Sequence, residues 1–191
     1  MLRVGVLAVQ GAAREHLDAL RRLEVEALAV RTPEEVAASD ALVIPGGEST
    51  TIGKLMARYG LLVPIREHAA AGKPLLGTCA GMILMAKQIE AAAKDQPRLS
   101  VMDITVERNA FGRQIDSFEA DLDFRGVNSG PVRAVFIRAP LISAVGEGVE
   151  VLAVHEGRIV AARQGRLLAL AFHPELTSDL RVHRHFLSFG E

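Results

Sequence analysis

The chain has 191 residues, 49% of them hydrophobic, with 22 Lys and Arg against 23 Asp and Glu. That is room for one core, 1–191 reading as a single domain, and it excludes long disorder and a basic nucleic-acid face. One Cys, one Tyr, no Trp and no apolar run near ~18 residues exclude an internal disulfide, base-stacking platforms and a membrane span.

The N-terminal MLRVGVLAVQG has the wrong flanks for a signal peptide, so residues 2–9 read as a buried strand and a reducing, cytoplasmic location is expected. Residues 14–23 carry apolar side chains at Leu17, Leu20 and Leu23, one helical face. A strand follows at 25–30. Thr32-Pro33-Glu34-Glu35 then reads as an N-cap, a proline at the first helical position and a capping-box Glu. Residues 41–45 form a third strand, a helix starts at Ser49, another covers 62–71, and 74–77 is a fourth strand before the helical GMILMAKQI. Near-continuous apolar strands separated by helices predict an α/β fold of three layers, a mainly parallel sheet covered on both faces.

After residue 98 the pattern changes. Residues 99–108, 114–124 and 132–138 are β-rich without helices between them. Residues 149–174 hold three β-rich runs divided by Glu156-Gly157 and Gln164-Gly165, the pattern of a meander. These segments predict an antiparallel extension. A last helix fits 178–189, and 91–97 reads as a helix end and loop.

Gly77-Thr78-Cys79-Ala80-Gly81 stands where the fourth strand meets a helix. It is the thiol form of the G-x-S-x-G elbow, a turn so sharp that side chains two before and two after the nucleophile would collide. The helix N-terminus behind it favours a thiolate. A small buried Cys between packing glycines is the plainer reading. His173, in Phe172-His173-Pro174-Glu175, ends the last apolar strand. If that strand runs beside the fourth, both residues lie at carboxyl ends of parallel strands, where sites gather. Glu175 is then placed to orient the imidazole of a nucleophile–base–acid triad. His16 and His68 fall on predicted helices, and His183 and His185 on the terminal one, all as surface positions; His155 lies beside a hairpin turn. None has metal-ligand spacing, so no metal and no cofactor are expected.

Gly46 and Gly47 follow the third strand at the same sheet edge. Adjacent glycines let backbone N–H groups approach a ligand. The N–H groups of Gly47 and Ala80 are candidates for an oxyanion hole. A phosphate loop does not fit, since five residues separate Gly47 from Gly53 and Leu55 follows Lys54.

Together these residues resemble the triad-type (class I) glutamine amidotransferases. VLAVQGAAREH (6–16), PGGESTT (45–51), GTCAG (77–81), VERNAFGRQIDSFEADL (106–122), VFIRAP (135–140) and FHPELT (172–177) stand in the order of one branch, the glutaminase subunits of pyridoxal 5'-phosphate synthases. The resemblance spans almost the full length and implies the flavodoxin-like amidotransferase fold. It implies Cys79 as nucleophile with His173 and Glu175 as relay, and Gly46, Gly47, Glu48, Ser49, Arg108, Ile137 and Arg138 as the pocket for L-glutamine. Glutamine's carboxylate suits an Arg and its ammonium suits Glu48.

The resemblance also implies a partner, a (β/α)₈-barrel synthase subunit that consumes the ammonia in a hetero-oligomer, and a glutaminase nearly idle until docked; a physical cause for that would be an oxyanion-hole peptide turned the wrong way until the partner contacts the Gln10-Gly11 region. Nucleic acid and membrane are not expected partners. Two other readings explain part of the pattern. A cysteine hydrolase or stress-response protein of similar fold accounts for the elbow but not for Glu48, Arg108 and Arg138 together. A non-catalytic binding subunit leaves Cys79, His173 and Glu175 unexplained.

Overall fold

The computed structural model describes residues 1–91, 96–111 and 117–190. Part of the expected 91–97 loop, the centre of the 106–122 motif and the start of the 114–124 strand lie outside the described residues.

The N-terminal half alternates strands and helices as its apolar runs dictate. β1 (Arg3–Leu7), β2 (Glu26–Val30), β3 (Ala41–Ile44) and β4 (Leu75–Thr78) pair in parallel in the order β2-β1-β3-β4. β12 (Leu167–Leu170) joins β4, also in parallel, with Leu170 opposite Thr78. β3, β4 and β12 are buried at every position, because helices cover both faces. From β1 the chain moves to β2 in one direction across the sheet, and from β2 to β3 and β4 in the other. Right-handed crossovers therefore set α1 (Ala13–Arg21) on one face, and α2 (Pro33–Ala37), α3 (Ser49–Arg58) and α4 (Leu62–Ala70) on the opposite one. The α2–α4 contact agrees. The winding reverses between β1 and β3, so a crevice opens beyond their carboxyl ends, the usual place for a ligand.

The short helix α5 (Ala80–Met85) ends where Ala86 turns extended. The expected continuation of helix through Ile89 is instead β5 (Ala86–Ile89), parallel to β6 (Met102–Glu107) at the sheet edge. Residues 82–85 are buried all round, so no periodicity separates helix from strand there. β9 (Leu141–Val145), which the sequence did not suggest, links β6 to β11 (Arg158–Gln164). β10 (Glu150–His155), β11 and β12 form the expected antiparallel meander. Glu156 and Gly157 make its first turn, both at positive φ (47° and 75°). Among the described residues, β7 (Ser117–Leu122) and β8 (Val132–Ile137) pair only with each other, a second small sheet. A 3₁₀ turn (Pro174–Leu176) and α6 (Arg181–Leu187) close the chain.

Thr32 caps α2 as expected, accepting from Glu35 N–H while Glu35 accepts from Thr32 N–H. α3 starts at Ser49 as expected and is capped by Glu48, whose carboxylate accepts from Thr50 and Thr51 N–H. The buried face of α1 is His16, Ala19 and Leu20; of the expected stripe, Leu20 is buried, Leu17 packs half-buried against the core and Leu23 lies past the helix end. His68 is buried rather than at the surface, its Nε2 3.1 Å from the Pro74 carbonyl. Among the described residues no helix is long and apolar enough to cross a membrane.

Candidate active site

Cys79 sits between β4 and α5 at φ 50° and ψ −103°, a conformation that costs a non-glycine residue energy and persists only when its surroundings enforce it. They do so here. Its N–H donates to Leu170 O of β12 at 2.8 Å. A Cβ on Gly77 would lie 2.6 Å from the Gly81 carbonyl carbon, and one on Gly81 would lie 2.0 Å from Ile44 O of β3. The two glycines are thus required by the packing of the elbow against itself and against β3. Sγ lies 3.9 Å from Ile137 O and is nearly buried.

β12 runs beside β4, so its end delivers His173 to the same edge. Val135 O of β8 accepts the His173 N–H at 2.8 Å, which fixes the backbone. Nδ1 is 2.7 Å from Glu175 Oε1, and Nε2 is left for the sulfur. Burial alone would push the imidazole down, but its hydrogen bonds to Cys79 and Glu175 and their charges raise it to about 10. Burial likewise opposes the charge on Glu175, yet His16 and His173 hold the carboxyl below its usual range. The side chain of Glu175 is fully buried, so an ionised carboxylate there needs such partners.

His16 and His183, expected at the surface, are fully buried, and His185 is half-buried against Phe124 and Phe189. Polarity alone places a helical His outside. Here His16 shares the inner stripe of α1, and His183 lies between Val182 and Phe186 on that of α6.

The glycine loop lies over the triad. A Cβ on Gly46 would come within 2.4 Å of His173 Cε1 and 3.5 Å of Cys79 Cβ. The loop is tied to the segment after β1 by two bonds. Ala12 N–H donates to Gly46 O at 2.9 Å, and Glu48 N–H donates to Gln10 Oε1 at 3.0 Å. A Cβ on Gly11 would meet Gly46 O at 2.0 Å. The Gly46–Gly47 peptide turns its carbonyl to Ala12, so the Gly47 N–H points the other way. Ala80 is the first residue of α5, and its N–H has no intrahelical partner.

A cavity of about 710 Å³ opens here. Gly46, Gly47, Glu48, Ser49, Cys79, Ala80, Arg108, Ile137, Arg138 and His173 all line it. Glu175 stands behind His173 and does not. Arg108 donates to Gln96 Oε1 at 3.4 Å, and Arg138 is exposed at φ 42°. The Glu48 carboxylate is engaged by Thr50, Thr51 and the Thr51 hydroxyl, which competes with the expected ammonium role. Gln10, Glu90, Asn109 and Leu176 also line the cavity. No local sequence pattern marks Glu90 for it, whereas Gln10, Asn109 and Leu176 stand in the VLAVQGAAREH, VERNAFGRQIDSFEADL and FHPELT motifs.

This geometry is that of a glutamine amidotransferase. A solved structure described as a glutamine amidotransferase superposes with a TM-score of 0.93 at 53% identity, covering 98% of both chains. Residues 6–189 match the SNO glutamine amidotransferase family, and the chain belongs to that family. It is 59% identical over 186 residues to the pyridoxal 5'-phosphate synthase subunit PdxT of Pelotomaculum thermopropionicum, covering 97% of this chain and 94% of that one. It is 56% identical to the PdxT of Desulforudis audaxviator, covering 99% of both.

Proposed function

We propose that the chain is the glutaminase subunit of a pyridoxal 5'-phosphate synthase, hydrolysing L-glutamine to L-glutamate and ammonia. The observation that carries this reading is Cys79, held at positive φ beside His173, which is itself 2.7 Å from Glu175. The thiolate of Cys79 attacks the side-chain amide carbon. The N–H groups of Gly47 and Ala80 receive the oxyanion, a contribution worth about 2.7–4 kcal/mol per donor in comparable enzymes. His173 gives its Nε2 proton to the leaving amide nitrogen, and ammonia departs. A glutamyl thioester remains on Cys79. Water, deprotonated by the now neutral His173, attacks it and releases glutamate and thiolate. Arg108 and Arg138 supply cations at the cavity wall for the α-carboxylate.

Ammonia leaving this cavity would protonate and diffuse in bulk water, so we infer a (β/α)₈-barrel synthase subunit docked over the mouth in a hetero-oligomer, in the cytoplasm. The two bonds from Gln10 and Ala12 to the glycine loop offer a route for activation, since a partner that moves residues 10–12 moves the Gly46–Gly47 peptide. The test is ammonia release from glutamine with and without the synthase subunit. The intact protein is expected to turn over far faster in the complex, and Cys79→Ser to abolish turnover while still binding glutamine. Substantial turnover by Cys79→Ser refutes the assignment. Equal turnover alone and in the complex refutes the gating.

A further inference from the structure

Behind the triad lies a second row of buried histidines that the reaction does not use. His16 Nε2 is 3.3 Å from Glu175 Oε2 and 3.1 Å from Thr78 Oγ1, and His16 Nδ1 is 3.1 Å from His183 Nε2. Glu175 Oε1 is taken by His173; among the described residues Oε2 has no hydrogen-bond partner, and His16 Nε2 faces it at 3.3 Å. Among the described residues His183 Nδ1 has no hydrogen-bond partner. One side chain from α1 thus touches both the residue before the nucleophile and the acid of the triad.

The proton positions follow from what each group can do. An ionised carboxylate only accepts. A lone pair on His16 Nε2 would face it unfavourably, so Nε2 carries the proton. Burial keeps His16 below its ordinary value, despite the pull of Glu175 and Glu15, and pushes His183 to about 3. Each ring therefore holds one proton at neutral pH. His16 Nδ1 then accepts from His183 Nε2–H, which leaves His183 Nδ1 bare, as found. The groups facing this row are Glu15 on α1, Thr78 and Cys79 at the elbow, and His173 and Glu175 after β12.

We propose that His16 is a positioning residue for the catalytic couple: its Nε2–H holds Glu175 ionised and aimed at His173, and His183 fixes the tautomer that makes this possible. Without that donor the buried carboxylate keeps His173 and its own backbone N–H and is easier to protonate. The imidazolium then loses its counter-charge, and the thiolate–imidazolium couple forms at higher pH.

The proposal rests on the glutaminase reading only for its turnover assay; alkylation and tautomer measurements need no glutamine. His16→Met fills the space without a donor, and His16→Gln restores an N–H₂ at similar reach. In His16→Met the acid limb of Cys79 alkylation by iodoacetamide is expected to move up by about one to two pH units, the loss of one buried polar N–H facing a charge. With the synthase subunit present, kcat falls ~10- to 100-fold below that limb while KM for glutamine stays within about twofold. His16→Gln recovers most of both. Two-bond ¹H–¹⁵N spectra of the wild-type protein are expected to show His16 and His183 as neutral Nε2–H tautomers. A wild-type alkylation profile in His16→Met, or equal losses in Met and Gln, overturns the proposal. Should His16→Met not fold, the wild-type spectrum decides alone, and a proton on His16 Nδ1 overturns it. Absence of any glutamine turnover in the wild-type complex strikes the functional reading and leaves these tests standing.

Discussion

Gly46→Ala adds one methyl group at the point where the glycine loop meets the base. The new Cβ would lie 2.4 Å from His173 Cε1 and 3.1 Å from Nδ1. Carbon–carbon contacts settle near ~3.5 Å, so the ring must retreat by roughly 1 Å. It has nowhere easy to go, because Glu175 holds Nδ1 at 2.7 Å and Val135 holds the backbone at 2.8 Å. Gly46 is not at positive φ, so Ala fits the backbone and the effect is purely steric. A misplacement of ~1 Å costs about 100-fold in rate, and kcat for glutamine in the complex is expected to fall by that much. Overpacking of this kind costs about 1–3 kcal/mol, or ~2–12 °C in Tm for a domain of this size. Coupled-enzyme detection of glutamate and a thermal melt read both. Turnover within about threefold of wild type would show that His173 is not the base, or that its ring does not lie under Gly46.

Gly81→Ala strikes the elbow itself, since the added Cβ would sit 2.0 Å from a backbone oxygen of β3 that cannot swing aside; soluble yield should collapse or Tm fall by more than about 10 °C, and a wild-type melt would contradict the packing described. Arg181 binds the carbonyls of Asn128, Ser129, Gly130 and Pro131 while paired to Asp179 at 2.7 Å; Arg181→Met should speed proteolysis within residues 126–131, and an unchanged cleavage pattern would remove the clamp. His183 is depressed to about 3 and His68 to about 4, so the folded state binds fewer protons than the unfolded chain below pH ~6.5. Their contribution is complete above that pH and is lost as pH falls, His183 adding a slope of at most ~1.4 kcal/mol per pH unit. His173, raised to about 10, contributes fully below ~6.5 and loses its contribution as pH climbs through 10. Urea unfolding should therefore give greatest stability near pH ~6.5, and a flat profile from about pH 4.5 upward would contradict the buried neutral imidazoles.

The parallel core was legible because burial on both faces leaves a direct mark, near-continuous apolar runs such as ALVI and LLAL. Cys79 and its glycines were legible because the sharp strand-to-helix turn writes a short local pattern, although the oxygen that bars a side chain at Gly81 comes from β3. Thr32 and Glu35 were legible because a capping box is local. His16 and His183 were not, because whether a helical His faces water or a carboxylate is decided by residues more than a hundred positions away, here Glu175 and each other. Glu48 was ambiguous for a related reason. A carboxylate before a helix can cap it or bind a ligand, and the sequence reads the same for both. β5 and β9 escaped notice because each is four or five residues long, and their pairing with β6 rather than any alternation makes them strands.

The hairpin of β7 and β8 shares no strand with the main sheet, yet its Val135 carbonyl grips the backbone of His173 and its Ile137 carbonyl faces the sulfur. Nucleophile and base, both at the carboxyl edge of the main sheet, therefore each rest on a backbone carbonyl of the same outer hairpin. One hairpin thus serves as a common shim beneath both reacting groups, set by backbone atoms rather than by side chains.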